Sequence, residues 1–578
     1  MNSKEYLFLF TIGPVQSFIS QSRKTQDLYA GSSLLSILID KAMKELENKN
    51  SVEFIFPHKK INTKPNRFIA KIKIDGNIDK IGKELKKFIQ KELFVIGNDT
   101  LNKICENNEK IKTLLLDQIK DYLQIYWLAL PFIQNKYYSV YNNIEKYMGS
   151  IKNIKIFSQI NNGNGEIGRK CSVCGQRNII IYKLTDEEVK NGIKKRKDGL
   201  LKKLYLKKED VIFYKKDDIG MQSGEGLCGI CFIKRFFFDY SFPSTAEIAL
   251  LNWIEDIPKD KLETYKNFFK NFDEELFFKE NLTEKYLKKY NYLKNEKELA
   301  NCKKLLNDLY KKYGEPKKYY AIIMLDGDNM GRWLSGEYLE NKDNLLDFHK
   351  KLSELLGEYT QSVNSIITKH KGRLVYAGGD DIMAFVNLNY LFKILKELRK
   401  KFPKFENSGF QLKHKSSVSA GIAITHYKTP LSEVLKWTKR MEEEAKERGK
   451  RDAFAIAVLK RSGEIHKTVY KWYVNEDFVL DIMHELITEL NAEQNGFSNT
   501  FINVLSKECE RLAKFSKTML LPELKRLLNR SSKIKDKDKK AKKVQYWQTK
   551  LSNLYNYKEK NNFLSFLHIS DFITRKGK

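Results

Sequence analysis

Two short acidic runs stand out as groups that could do chemistry. Residues 374–386 read LVYAGGDDIMAFV and residues 325–331 read LDGDNMG. In the first, Gly378, Gly379, Asp380 and Asp381 interrupt an apolar run; in the second, Asp326, Gly327 and Asp328 end one. Glycines suit a hairpin turn because they accept positive φ and let a bulky ligand approach the backbone. A plain tight turn with a polar tip uses the same letters, so the setting decides. Both runs end strands that a βαββαβ unit places side by side, and Asp326 then faces Asp380 and Asp381. Three carboxylates so placed repel one another, and a divalent cation, Mg²⁺ or Mn²⁺, relieves the repulsion. Mg²⁺ is held by a few carboxylates together with substrate phosphates. Two such ions about 3.5–4 Å apart activate an attacking hydroxyl and stabilise a leaving pyrophosphate. The expected chemistry is metal-dependent nucleotidyl transfer. Asp326, Asp380 and Asp381 are the expected catalytic and metal-binding residues, and Gly378, Gly379, Gly327 and Asp328 the expected nucleotide contacts. In EAKERGKRD, 444–452, Lys446 and Lys450 approach the end of a helix, where cations are favoured. Lys446 is the expected neutraliser of triphosphate charge, although such lysines are commonly only solvated.

The cysteines suggest a second, separate chemistry. Cys171 and Cys174 lie in GRKCSVCGQRN, and Cys228 and Cys231 in GLCGICFIKR. Each C-x-x-C presents two thiolates from a tight turn, and the four together complete a tetrahedral Zn²⁺ site with no open position, hence a structural one. The insert 175–227 is longer than in compact zinc ribbons, and two redox pairs or reduced core thiols are the alternative. Cys105, Cys302 and Cys509 stand alone, and an odd count does not suit a disulfide framework.

The elements that must position these groups follow from periodicity. Strand-like Tyr6–Ile12 is followed by a helix with Leu35, Leu38, Ile39, Ala42, Met43 and Leu46 on one face. Strands Val52–Phe56 and Arg67–Ile74 and a helix near Ile78–Leu93 come next, the opening of a ferredoxin-like unit. Residues 100–160 read as mainly helical and aromatic. The pattern returns at Tyr319–Leu325 and the helix Leu345–Val363. Leu374–Ala377, Ile382–Val386, the helix Leu391–Lys401, Ser417–His426, the helix Leu431–Ala445 and a last strand Ala453–Leu459 complete it. The fold class is α+β and multidomain. Residues 1–160 form a first ferredoxin-like domain without catalytic carboxylates, 161–240 a zinc-binding region and 241–315 a helical linker domain. Residues 316–465 form a second ferredoxin-like domain with GGDD, and 466–578 a C-terminal helical domain.

Composition narrows the partners. The chain has 578 residues, 42% hydrophobic and 31% charged, with a formal net charge of +32. That field favours polyanions, nucleic acid first, although a Lys-, Asn- and Ile-rich composition alone produces the same count. No apolar run approaches the roughly 20 residues of a membrane span, and the start lacks the features of a signal peptide. A cytoplasmic location with no membrane partner is expected. The basic run KIKDKDKKAKK at 533–543 reads as a solvated loop or a contact with other subunits or RNA.

YAGGDD, LDGDNMG and SAGIAITHYKTPL (419–431) resemble the palm domain shared by nucleotide cyclases, GGDEF-type synthases and many polymerases. GPVQSFISQSRKTQDLYAGSSLLS (13–36) and PNRF (65–68) narrow the resemblance to the large polymerase-like subunit of type III-B (Cmr) CRISPR effector complexes. It extends over nearly the whole chain. It implies two packed palms, the second active. It also implies partner subunits, guide RNA and target RNA, and conversion of ATP to cyclic oligoadenylates switched on by target RNA. The residues agree on the active palm: the turn FPHKKINTKPNRF (56–68) of the first unit holds no acidic pair. Arg23, Asp27 and Ser32 are the expected contacts on that side, and Arg67 is either a contact or a surface arginine. Many members begin with an HD nuclease domain. This chain has no His-Asp dipeptide, so the form lacking that domain, without HD-type deoxyribonuclease activity, is expected. The adenylyl acceptor is a second ATP or another molecule such as S-adenosylmethionine. A non-catalytic RNA-binding scaffold and a template-directed polymerase are the remaining alternatives.

Overall fold

A computed structural model describes residues 4–59, 61, 63–104, 109–120, 122–154, 168–185, 188, 212–214, 220–239, 242–290, 292, 298–511, 516–556 and 559–576. Cys105 and most of the insert between the cysteine pairs lie outside the described residues.

The first sheet is built from β1 (Lys4–Gly13), β2 (Ser51–Phe56), β3 (Arg67–Ile74) and β4 (Gln124–Pro131). Helix α1 (Thr25–Lys49) connects β1 to β2, and α2 (Ile78–Asn102) follows β3. The strand order is β2-β3-β1-β4, antiparallel throughout. YLFLFTI is continuously apolar because β1 is buried on both faces. Phe8 and Phe10 pack with α1 and α2, while Leu7 and Leu9 join a core shared with the second sheet. Strand β4 corrects the expectation of a mainly helical 100–160: IYWLAL is a short apolar run without alternation, which periodicity alone does not assign to strand or helix. Its Trp127 lies flat against α2 at Gly82, where a Cβ would stand 2.3 Å from the ring. Helix α3 (Tyr137–Asn153) follows.

In the cysteine region, β5 (Ile181–Lys183) pairs in parallel with β6 (Ile212–Tyr214) and antiparallel with β7 (Gly226–Leu227), which leads into α4 (Gly229–Phe236). Helices including α5 (Thr245–Glu255) precede the second sheet.

That sheet repeats the first. Its strands are β8 (Tyr319–Gly327), β9 (Gly372–Ala377), β10 (Ile382–Asn387), β11 (Val418–His426), β12 (Ala453–Leu459) and β13 (Ile465–Lys471), in the order β13-β12-β11-β8-β10-β9. Its first four strands, β9-β10-β8-β11, follow the same second–third–first–fourth arrangement as the first sheet. Helices α6 (Leu345–Ile366), α7 (Leu391–Lys401) and α8 (Leu431–Glu447) connect them. Ala453–Leu459 is not the last strand: β13 pairs antiparallel beyond it. Strand β13 occupies the start of the segment 466–578 expected to be a helical domain, and its open edge is covered from the tail. Asn562 accepts from the Val469 N–H at 2.7 Å and donates to the Val469 carbonyl at 2.9 Å, which removes an unpaired edge. A short hairpin pairing Tyr473–Val474 with Asp477–Phe478 leads into the helices of the tail: α9 (Val479–Asn491), α10 (Thr500–Arg511), α11 (Lys517–Ser531), α12 (Lys537–Leu554) and α13 (Lys560–Lys576). The lysines of 533–543 lead into α12 and occupy its first two turns.

Candidate active site

Three strands bring the carboxylates together. Leu325 of β8 pairs with Ile382 of β10, and Ile382 pairs with Ala377 of β9, so the four-residue turn Gly378–Asp381 sits beside Asp326. The Gly378 N–H closes the turn on the Asp381 carbonyl at 2.9 Å. Gly379 has φ +103°, a conformation that side chains with a Cβ rarely adopt. Gly327 permits the approach of the two acidic segments, since a Cβ on it would stand 2.9 Å from Cβ of Asp380. Nothing lies within 4 Å of the place a Cβ on Gly378 would take, so the turn is open to a ligand there.

The electrostatics are those of an acidic site short of positive charge. Desolvation by the surrounding atoms, and then the charge of Asp326, push the Asp380 carboxyl up to about 7. Asp381 is raised well above its ordinary range by the same desolvation and by Asp326 and Asp380. Its side chain is nonetheless open to the cleft, so water there moderates the shift. Asp326 is raised by desolvation against the opposing pull of Lys446. Tyr376 donates its hydroxyl proton to Asp381 Oδ1 at 3.2 Å. Lys446 Nζ is bonded to Asp326 Oδ2 and, at 2.6 Å, to the buried carboxylate of Glu442. Lys439 pairs with Glu442 as well. These groups are carried by α8, which lies directly on β11 at Gly421: a Cβ there would stand 2.2 Å from the Glu442 nitrogen and 2.4 Å from the Thr438 carbonyl oxygen.

Asp328 is placed differently from the expectation that it contacts nucleotide. It is 2% exposed, and its carboxylate accepts from Ser417 Oγ and Ser419 Oγ, each at 2.7 Å, and from the Asp452 N–H at 2.9 Å. It therefore ties the end of β8 to β11 and to the loop before β12.

The acidic turn opens on a cleft of about 2480 Å³ that both sheets line. Arg23, Ser32 and Arg67 reach it from the first unit, and Asp326, Asp380 and Asp381 from the second. Arg23 is exposed and donates to Gln222 at 3.1 Å. Arg67 is held by Glu145. Asp27 is buried and bound to Arg235, so it supports the wall from behind. Lys439 and Glu442 line the cleft, while Lys446 reaches Asp326 from the following turn of α8. Glu442, Lys439 and Tyr376 were missed in the sequence. Glu442 and Lys446 have the i, i+4 spacing of an ion pair, but within MEEEAKE that signal is one of several.

The four sulfurs Cys171, Cys174, Cys228 and Cys231 lie within 4.8 Å of one another, the one such group of His, Cys, Asp or Glu ligand atoms among the described residues, and could hold a metal. Gly175, at φ +66°, makes the first knuckle turn, its N–H bonded to the Cys171 carbonyl at 2.9 Å. Cys171 and its neighbours pull the Cys174 thiol far below its ordinary range, while contacts with Cys171 push Cys228 and Cys231 up. Four thiols competing over negative charge fit a cation at their centre.

A twin-sheet molecule with an acidic hairpin turn facing a shared cleft is a protein of the palm-domain class. Residues 319–455 match the family model of the Cas10/Cmr2 second palm domain, and residues 7–154 that of the CRISPR-associated protein Cmr2 N-terminal region. The chain is 27% identical to "CRISPR system Cmr subunit Cmr2" of Pyrococcus furiosus, over 87% of this chain and 67% of that one. It is 30% identical, over 22% of its length and 17% of the other's, to "CRISPR system single-strand-specific deoxyribonuclease Cas10/Csm1 (subtype III-A)" of Streptococcus thermophilus. A chain of the type III-B Cmr-beta cryo-EM structure in the apo state shares its fold, with TM-score 0.65 and 15% identity over all of this chain and 82% of that one. The chain is thus similar to the Cmr2/Cas10 proteins of type III-B CRISPR systems, in both of its sheet-bearing regions. Among the described residues no helix is long and apolar enough to cross a membrane.

Proposed function

We propose that this chain is the nucleotidyltransferase subunit of a type III-B effector complex that makes cyclic oligoadenylates from ATP when target RNA is bound. One observation carries the reading: Asp326, Asp380 and Asp381 converge at the edge of a cleft shared by two palms, and each is shifted toward holding a proton. Carboxylates in that state, with one ammonium among them, fit Mg²⁺ or Mn²⁺. The three aspartates would hold the cations, which supply the charge that activates a 3′-hydroxyl and stabilises the leaving pyrophosphate. Gly378 leaves room for phosphate against the turn. Glu442 holds Lys446 against Asp326, and Lys439, on the same helix and facing the cleft, offers its ammonium to phosphate. Arg23, from the opposite wall, serves the second nucleotide, whose 3′-hydroxyl attacks the first nucleotide's α-phosphate. The four-cysteine cluster takes structural Zn²⁺, and the division at 160, 240, 315 and 465 describes the functional parts. A Cmr-beta structure bound to cognate target RNA has the same fold, which supports placing this chain among partner subunits, guide RNA and target RNA. We attribute no HD-type deoxyribonuclease activity to these residues, which hold no His-Asp dipeptide.

The metal reading is tested by titrating Mn²⁺ into the full chain and following its paramagnetic resonance signal. Asp380→Asn/Asp381→Asn should weaken binding by at least on the order of tenfold, the loss that metal-site partners outside the ligand set already produce. Equal binding by both proteins would remove the aspartates from the metal site.

A further inference from the structure

The first-unit wall of the cleft leans on the four-cysteine cluster. Cys228 and Cys231 stand at the start of α4, and the next turn carries Lys234 and Arg235, 1% and 4% exposed. Buried cations require partners for their donors, and theirs lie in the segment that begins the first wall. Lys234 Nζ donates to the Phe18 and Gln21 carbonyls, each at 2.6 Å, and to Ser22 Oγ at 3.2 Å. Arg235 donates to both oxygens of Asp27, at 2.5 and 2.9 Å, to Glu225 at 3.1 Å and to the Gly220 carbonyl at 2.8 Å. Asp27 in turn accepts from the N–H groups of Arg23 and Lys24, at 3.1 and 3.0 Å. Residues 21–24, which line the cleft, are thus gripped by two adjacent side chains of α4. Arg23 also leans on Gln222, in the turn that leads to Cys228.

Helix α4 has eight residues, too few to hold its shape unaided. Its N-cap, Cys228, and its first turn, with Cys231, hold two of the four cysteines, so metal there fixes the start of the helix whose next turn carries Lys234 and Arg235. We propose that Lys234 and Arg235 are positioning residues that tie the geometry of the four-cysteine cluster to the 21–24 segment, so that nucleotide binding on this wall depends on the metal in the cluster. This rests on the reading of the cleft as a nucleotide site.

The test uses the full chain, zinc-loaded or stripped by a chelator, as wild type and Lys234→Met. Amide hydrogen exchange of residues 18–27 is measured beside equilibrium binding of a non-hydrolysable ATP analogue with Mg²⁺. Stripping should speed exchange in 18–27 while β8 and β10 keep their protection. Lys234→Met should do the same with its zinc content intact, and weaken analogue binding by on the order of tenfold, the worth of a charge-assisted hydrogen bond. Should Lys234→Met fail to fold, Arg235→Lys keeps the charge and loses the two-pronged grip on Asp27, and should give the same result. Unchanged exchange in 18–27 on stripping and in the variants would overturn the proposal, as would faster exchange with unaltered analogue affinity. A wild-type chain that binds no analogue, yet shows the exchange response, would keep the mechanical link and bring down the nucleotide reading instead.

Discussion

Asp380 is the residue whose protonation best reports the site. Its carboxyl, raised to about 7 by desolvation and by Asp326, titrates near 3.9 in an unfolded chain. The metal-free native state therefore binds more protons than the unfolded state between about pH 4 and pH 7, and stability declines as pH rises through that window. Asp380→Asn removes the charge, so the metal-free variant should match wild type near pH 4–5 and melt about 2 °C higher at pH 8. A melting difference that does not change with pH would contradict the assignment. Asp326, Asp380 and Asp381 were legible in the sequence because carboxylates at the ends of apolar runs are conspicuous. Asp328 lies just beyond Gly327, where β8 ends, and its burial against Ser417, Ser419 and the Asp452 N–H comes from distant segments that local spacing does not report. Glu442 and Tyr376 gain their meaning from packing that brings α8 and β9 to the site, which local spacing does not report.

Helix α8 and the β9–β10 hairpin are the elements on which the geometry depends. Gly421→Val would drive a side chain into the backbone of α8 and lower stability by about 1–3 kcal/mol, read as a lower urea midpoint, while displacing Glu442 and Lys446. Gly378→Ala meets open space and should leave that midpoint within about 0.5 kcal/mol of wild type. Comparable losses from both substitutions would mean that the contact between α8 and β11 is not what distinguishes them. The element order of both units was legible, because their strands and amphipathic helices alternate with the expected periods. Strands β4 and β13 were not. The first is apolar on both faces, and the second is a lysine-bearing edge that Asn562 covers from the distant α13.

At the scale of the molecule, two sheets of the same strand order share a core, with Leu7 and Leu9 of β1 in one cluster with Ala321, Ile323 and Leu325 of β8. The repeat was legible as a pattern of elements. The cleft was legible only through family resemblance, since nothing in spacing reports how two domains dock. The net charge of +32 suits the polyanionic partners proposed here and does not choose among them. The most direct test is chromatography with mass detection of ATP given to the assembled complex. Guide RNA, matching target RNA and Mg²⁺ or Mn²⁺ would be present, with and without S-adenosylmethionine, beside an Asp380→Ala/Asp381→Ala complex. The account predicts cyclic oligoadenylates from the wild type alone and only when target RNA is bound. ATP left untouched by a target-bound wild-type complex, or consumed equally by both proteins, would contradict it.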